Sequence, residues 1–64
     1  MRKQPQQQRA KQIVDDILEA TQLCVAEIGL LQVTTPKIAE KSGVSVGSIY
    51  QYFENKDEIM NELL

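Results

Sequence analysis

The side chains in this sequence best suited to recognition chemistry lie between residues 45 and 52. Ser48 offers a hydroxyl and Gln51 an amide, and both groups hydrogen-bond to the edges of bases, Gln to adenine in a bidentate manner. On a helical wheel of about 100° per residue, Gly47 and Tyr52 fall on the same side as these two residues. The four form a face without charge, and an ordinary polar surface that contacts nothing explains them about equally well.

Two short helices joined by a tight turn must position this face. Thr35 can cap the first helix with its hydroxyl, which places Pro36 at the first helical position, where its missing N–H costs nothing. Gly43 suits the left-handed conformation that ends a helix, and Ser45 can cap the next one. In that second helix, the residues predicted to face the core are Val46, Ile49, Tyr50 and Phe53. This spacing predicts a helix-turn-helix, which places its second helix in the DNA major groove.

Apolar residues at helical spacing predict a further helix before this motif, over about residues 9–28, and Gly29 ends it. Leu30 can then fold back onto Val25, the hydrophobic contact that accompanies such a helix end. Residues 31–33 are expected to carry apolar side chains into the core on the way to the motif. The motif itself is predicted to consist of a positioning helix over 36–42 and a recognition helix over 46–53.

A last helix is predicted to begin at Asn55, whose side chain can cap it, with Glu58 completing a capping box. No segment requires a β-strand. We therefore predict an all-α fold, a small three- to four-helix bundle containing a helix-turn-helix, over residues 9–64. Residues 1–8 include consecutive glutamines and lack periodic apolar positions, so they are predicted to form a flexible basic arm.

The charge distribution does not by itself identify a partner. The net charge is −2, which is not typical of a nucleic-acid-binding domain. Residues 1–11 contain four basic residues and no acid, whereas residues 12–64 contain three lysines and nine acids. A domain that turns its positive side toward DNA fits this distribution, and so does a plain acidic domain.

Two lysines occupy positions that the energetics of an isolated helix does not favour. Lys37 and Lys56 each lie in the first turn of a predicted helix, where the helix dipole disfavours a cation by roughly a few tenths of a kcal/mol. A phosphate docked at that end of the helix would explain both. A solvated lysine explains Lys37 at least as well.

The composition argues against enzymatic function. The chain contains no His, no cluster of metal-ligand residues, no nucleophile paired with a base and no glycine-rich phosphate loop. We therefore predict no catalytic residues, no metal site and no cofactor. The lone Cys24 lies on the apolar side of the first helix and is predicted to be a buried thiol in a reducing cytoplasm. No segment reads as a membrane span or a signal peptide.

A helical protein-interaction module is the alternative function that these residues leave open. Such a module would dock a partner through its apolar C-terminal helix, and the residues that favour it are Ile59, Met60, Leu63 and Leu64. A DNA-binding domain would lose affinity steeply as salt rises, whereas an apolar docking surface would not.

The ordered motifs resemble the DNA-binding domain of the tetracycline-repressor (TetR) family of bacterial regulators. They are a first helix ending in Glu-x-Gly, a Thr-Thr pair, an Ile-Ala pair, Gly-Val-Ser, a Tyr-x-x-Phe and then Lys56, all between about residues 13 and 64. The resemblance implies a sequence-specific DNA-binding domain of a cytoplasmic transcriptional regulator, most often a repressor that a small-molecule inducer releases from its operator. Position 46, often basic in the family, is Val46 here, so a common phosphate contact is not implied.

The resemblance also implies which residues touch DNA. Phosphate contacts carried over from the family are Thr35, Tyr50 and Lys56, and further backbone contacts are Ser45, Gly47 and Tyr52. Base readout falls to Ser48 and Gln51. In the family the last helix continues into a larger domain that binds the inducer and forms a homodimer. We therefore expect the chain to be a fragment that is monomeric by itself and binds double-stranded DNA weakly.

Overall fold

The computed structural model describes residues 5–64, and the regular elements in that range are helical. They are α1 (Pro5–Ile28), a 3₁₀ turn (Leu30–Gln32), α2 (Thr35–Ser42), α3 (Val46–Tyr52) and α4 (Lys56–Leu63). The predicted all-α fold with a helix-turn-helix is confirmed. We call residues 29–34, which join α1 to α2, the connector.

The first helix begins earlier than predicted, at Pro5 instead of near Arg9. Proline is tolerated in the first turn because its missing N–H has no partner there, and glutamine is a good helix former. Residues 5–8 of the predicted arm are therefore helical in the structure. Residues 1–4 of that arm lie outside the described residues.

A single apolar core connects all four α-helices and the connector. The buried apolar residues are Ile17, Ala20, Cys24, Val33, Ile38, Ile49, Phe53 and Ile59. The three from α1 recur at the three- and four-residue spacing that places side chains on one helical face. Because α2, α3 and α4 each insert an isoleucine into this core, α1 supports the helix-turn-helix and the last helix together.

Only some of the apolar side chains of the connector are buried in the core. Gly29 has φ 85° and its N–H donates to the Val25 carbonyl at 2.9 Å, which ends α1 as predicted. Val33 is 1% exposed, but Leu31 is 89% exposed, so the expected burial of residues 31–33 is wrong for Leu31. A 3₁₀ turn rotates successive side chains by about 120°, so it cannot direct all of its neighbours to the same core.

The cap of α2 differs from the prediction by one residue. The hydroxyl of Thr34, not that of Thr35, accepts the Lys37 N–H at 3.3 Å, and Thr35 is the first helical residue. Thr35 is 7% exposed and is the first residue of α2, whereas Thr34 is exposed and occupies the capping position.

The cap of α4 is at the predicted residue. The Asn55 Oδ1 atom accepts the Glu58 N–H at 3.0 Å. The return bond of the predicted capping box goes to a neighbouring residue, since Glu58 Oε1 accepts the Glu54 N–H at 2.7 Å and not the Asn55 N–H. The first bond satisfies an N–H group that the start of a helix leaves without an intrahelical partner, and the second satisfies the N–H of the residue before the cap.

Candidate nucleic-acid interface

The turn between α2 and α3 fixes the start of the predicted recognition helix. Gly43 has φ 79° and its N–H donates to the Ala39 carbonyl at 2.9 Å, so α2 ends in the left-handed conformation that was predicted. The Val44 N–H donates to the Ser42 hydroxyl at 3.0 Å. Ser45 then caps α3, its hydroxyl accepting the Ser48 N–H at 3.1 Å, as predicted. Three successive local bonds therefore set the direction in which α3 leaves the turn.

The inner face of α3 is narrower than predicted. Ile49 and Phe53 are buried and Val46 is half-buried, in agreement with the helical wheel. Tyr50, which the wheel also placed in the core, is 52% exposed, so that prediction is wrong. A seven-residue helix buries one strip of side chains, and the large Tyr50 ring lies at the edge of this strip, where its phenol can meet water. Its exposure suits the phosphate contact implied by the resemblance.

The outer face of α3 is exposed and uncharged. Gly47, Gln51 and Tyr52 are exposed together with Tyr50, and these residues lie within two turns of one helix. A methyl group built on Gly47 would meet no atom within 4 Å, so internal packing gives no reason for glycine there. Since a helix-interior glycine costs up to about 1 kcal/mol relative to alanine, its bare backbone fits a surface that another molecule approaches closely.

The two serine hydroxyls of this region are bonded to each other. Ser45 Oγ and Ser48 Oγ lie 2.9 Å apart, and Ser48 is half-buried. A hydroxyl has one donor and two acceptor sites, so each serine keeps capacity for a further partner. Of the two predicted base readers, Ser48 is thus already bonded to Ser45, whereas the Gln51 side chain makes no hydrogen bond within residues 5–64.

Thr35 is placed less favourably than predicted for contact with a ligand. It is 7% exposed, so little of its surface is open to a phosphate. The neighbouring Thr34 is exposed, and its hydroxyl lies at the N-terminus of α2. Sequence reasoning missed Thr34 because a Thr-Thr-Pro sequence offers two adjacent caps, and only burial distinguishes them.

Both lysines at helix starts have partners inside the protein. Lys56 Nζ donates to the Val33 carbonyl at 3.0 Å, and Lys37 Nζ donates to the Gln32 carbonyl at 3.3 Å. Their positions thus have a structural explanation that the sequence did not reveal, and a docked phosphate is not needed to account for them. An ammonium group has three N–H donors, so each lysine retains donors for an anion.

The remaining lysines in the described part of the chain are paired with carboxylates. Lys41 Nζ lies 2.9 Å from Glu27, and Lys11 Nζ lies 3.4 Å from Asp15. The hydrogen bond and the charge of Glu27 raise the pKa of Lys41 above its usual value. Lys37 and Lys56 differ from these two, because a carbonyl partner leaves their charge unneutralised. Positive charge is therefore retained at the start of α2, whereas the first turn of α4 carries Asp57 and Glu58 beside Lys56.

A second surface feature is an apolar groove of about 350 Å³ between α1, the connector and α4. Its lining residues are Gln22, Val25, Leu30, Met60, Leu63 and Leu64. Leu30 and Val25, the pair predicted to meet after Gly29, thus border the same groove. The groove is the structural feature that corresponds to the alternative of a protein-interaction module.

Cys24 is buried, as predicted, and its Sγ lies 3.8 Å from the Lys37 carbonyl oxygen. Within residues 5–64, His, Cys, Asp and Glu form no group of three or more that could hold a metal ion. The helices found in that range are too short or too polar to cross a lipid bilayer.

Comparison with known protein families gives one match. The family model described as bacterial regulatory proteins of the tetR family matches residues 17–63, a range that includes most of α1 and all of α2, α3 and α4. The match therefore contains the whole helix-turn-helix and the core that supports it.

Several curated proteins are similar to the chain. An uncharacterised HTH-type transcriptional regulator of Haemophilus influenzae is 38% identical over 78% of this chain and 27% of its own length. The fatty acid metabolism regulator protein of Bacillus subtilis is 42% identical over 81% of this chain and 25% of its own. The HTH-type transcriptional repressor KstR2 of Mycobacterium tuberculosis is 39% identical over 77% of this chain and 24% of its own length. The chain thus spans about a quarter of the length of these relatives. No solved structure matches it.

Proposed function

The chain belongs to the tetR family of bacterial regulatory proteins, and from that premise we propose that it is the part of a transcriptional regulator that binds double-stranded operator DNA sequence-specifically. The observation that carries this proposal is the outer face of α3. It is exposed, it has no charge, and it presents the Gln51 amide beside the bare backbone of Gly47. An amide in the major groove bonds bidentately to adenine, and a helix without a side chain at one position can approach the bases closely.

The contacts divide by chemistry into base readout and phosphate binding. Gln51 and Ser48 are the base-reading residues of the proposal. The residues proposed to contact phosphates form a larger group: Thr35, Ser45, Gly47, Tyr50, Tyr52 and Lys56. The unneutralised charge of Lys56 and the exposure of Tyr50 support their assignment to this group. Thr35 contributes least, because it is almost covered.

The whole regulator is proposed to act as a homodimeric repressor in the cytoplasm. A helix-turn-helix reads one half-site, and two of them spaced by about one helical turn of DNA, roughly 34–36 Å, read a full operator. The relatives are about four times as long as this chain, which leaves room for dimerisation and for a small-molecule inducer site outside it. The bare chain is proposed to be a monomer, and analytical ultracentrifugation at micromolar concentration tests this.

The experiment that tests DNA binding is a titration against random-sequence duplex at two salt concentrations. Between about 50 and 200 mM salt, each phosphate contact lowers the affinity by a factor of about 3 to 4. Several contacts would therefore produce a loss of one order of magnitude or more. Selection of preferred sequences from a random duplex pool then tests specificity. Recovery of an unenriched pool, or an affinity that does not respond to salt, would reject the proposal.

The apolar groove favours a second function, that of a helical protein-interaction module that docks a partner through its apolar C-terminal helix, α4. Gln22→Ala distinguishes the two functions, because Gln22 borders the groove and belongs to α1, so a docking function expects this variant to weaken protein association. The DNA-binding proposal expects no effect of this variant on duplex affinity. A docking function expects protein association that does not weaken with salt.

A further inference from the structure

Lys56 and Lys37 hold two consecutive backbone carbonyls of the connector. Lys56, at the start of α4, donates to the carbonyl of Val33, which lies 23 positions earlier in the chain, at 3.0 Å. Lys37, in the first turn of α2, donates to the carbonyl of Gln32 at 3.3 Å. The Lys56 bond is partly buried and the Lys37 bond is exposed. Lys56 therefore makes the better-protected of the two links.

The Lys56 bond differs from the other side-chain hydrogen bonds of α4. The bonds of Asn55 and Glu58 remain within residues 54–58 and serve to cap the helix. In the part of the chain that the structure describes, Lys56 alone forms a side-chain hydrogen bond from α4 to a segment that precedes the helix-turn-helix. The other attachment of α4 is apolar, through the fully buried Ile59 and the partly buried Met60, which packs against the core.

The two residues joined by this bond border the helix-turn-helix at both ends. Val33 immediately precedes Thr34, the cap of α2, and it is anchored by its buried side chain and by its N–H bond to the Leu30 carbonyl at 3.3 Å. Lys56 follows Phe53, the residue that ends α3 and inserts into the core. The bond thus connects the entry of the motif to its exit.

We infer that Lys56 is a positioning residue that fixes the orientation of α3 relative to α2 by joining the start of α4 to the Val33 carbonyl. This role goes beyond the phosphate contact in the proposed function, and one side chain can perform both. One of the three ammonium N–H groups is used by Val33, and two remain for an anion. A hydrogen bond from a charged donor to a partly buried carbonyl is among the stronger ones in proteins.

The test weakens the carbonyl and leaves the lysine unchanged. At 64 residues the chain is within reach of chemical synthesis, so the Val33–Thr34 amide can be replaced by an ester. An ester carbonyl is a poorer acceptor, and the lost Thr34 N–H makes no hydrogen bond within residues 5–64. The matched control is an ester between Glu54 and Asn55, where neither the carbonyl nor the N–H is hydrogen-bonded within that range.

Amide hydrogen exchange in the free protein gives the first readout. The Phe53 N–H, bonded to the Ile49 carbonyl, reports the end of α3, and the Ile59 N–H, bonded to the Asn55 carbonyl, reports the start of α4. We expect the Val33–Thr34 ester to accelerate hydrogen exchange at both N–H groups about tenfold relative to the all-amide chain. The control ester should change these exchange rates by less than about twofold. When Lys56 has been replaced by Met, the Val33–Thr34 ester should accelerate exchange at these two N–H groups by less than about twofold. Equal effects of the two esters, or an undiminished effect beside Lys56→Met, would overturn the inference. Should Lys56→Met not fold, the comparison of the two esters decides.

A DNA titration gives the second readout and rests on the proposed function. The Val33–Thr34 ester retains the charge of Lys56, so the affinity for duplex should fall without a change in the log–log salt slope. An altered slope in the ester variant would contradict a positioning role. If the chain does not bind DNA at all, the proposed function fails, while the exchange measurements still decide the role of Lys56.

Discussion

The outer face of α3 and Lys56 at the start of α4 are both proposed to meet DNA, but they are built in opposite ways. The face has no charge, and its Gln51 side chain has no hydrogen-bond partner in the described structure. Lys56 is charged, and its ammonium already donates to the Val33 carbonyl of the connector. A side chain that reads a base needs hydrogen-bonding groups that are not already bonded within the protein. A lysine that binds phosphate can keep one bond to the protein and use its remaining N–H groups for the phosphate. The comparison therefore separates specificity, assigned to the base-reading residues of α3, from affinity and orientation, to which Lys56 contributes.

The largest expected effect would show that specificity resides on α3. Gln51→Ala should cost about 1–3 kcal/mol on the selected operator sequence, because the bidentate bond to a base is lost. On unrelated duplex the affinity should stay the same. Fluorescence anisotropy on the two duplexes measures the difference, with Gln22→Ala as the matched glutamine control on another surface. An equal loss on both duplexes would mean that Gln51 reads no base.

The phosphate contact proposed for Lys56 predicts a smaller effect that is common to all duplexes. Lys56→Ala should weaken binding to every duplex and reduce the magnitude of the log–log salt slope by about 1, and a disturbed orientation of α3 should add a further loss on the operator. Lys41→Ala is the matched control, because Glu27 neutralises that charge at 2.9 Å. The slope is measured by titration at several salt concentrations. A loss of affinity on the operator alone would mean that Lys56 takes part in base reading, and the two regions would then not differ in this respect.

The cap of α3 allows a test of how the start of this helix is held. Ser45→Ala removes the hydroxyl that accepts the Ser48 N–H at 3.1 Å, and should lower the free energy of unfolding by about 1 kcal/mol. Chemical denaturation followed by circular dichroism measures the change. Ser45→Asp, which retains a capping acceptor, should preserve stability. Unchanged stability in Ser45→Ala would show that the start of α3 is held by the core alone.

The smallest effect is expected at Gly47. Gly47→Ala should raise the free energy of unfolding by up to about 1 kcal/mol, because the position is helical and a methyl group meets no atom within 4 Å. DNA affinity should fall, since the methyl group separates the helix from the bases. Gly43→Ala is a contrasting control, because φ is 79° there and the same change should destabilise the fold. Unchanged DNA affinity in Gly47→Ala would leave the bare backbone of α3 without a function.

Local signals in the sequence predicted the elements of this fold well. The left-handed Gly43, the cap at Ser45 and the cap at Asn55 were all found at the predicted residues. Each depends on groups within three or four positions along the chain, so neighbouring residues are sufficient to specify it. The all-α fold, the helix-turn-helix and the buried Cys24 were predicted in the same way, from periodicity and short-range spacing.

The site could be predicted only in part, because exposure depends on what covers a residue. A helical wheel divides α3 into two faces but does not tell how wide the buried strip is, so Tyr50 was assigned to the wrong side. The adjacent Thr34 and Thr35 have the same side chain, and only the burial of Thr35 decides which of them caps α2.

By itself, the sequence determined which segments become helices, where each of the four is capped or stopped at one end, and which family the chain resembles, because these features arise from residues close together along the chain. The tertiary structure alone decided the width of the buried strip on α3 and the partners of Lys37 and Lys56. The link from Lys56 to Val33 spans 23 positions and forms only when the shared core brings α4 against the connector. No local pattern encodes such a bond, since its geometry depends on how separate helices pack.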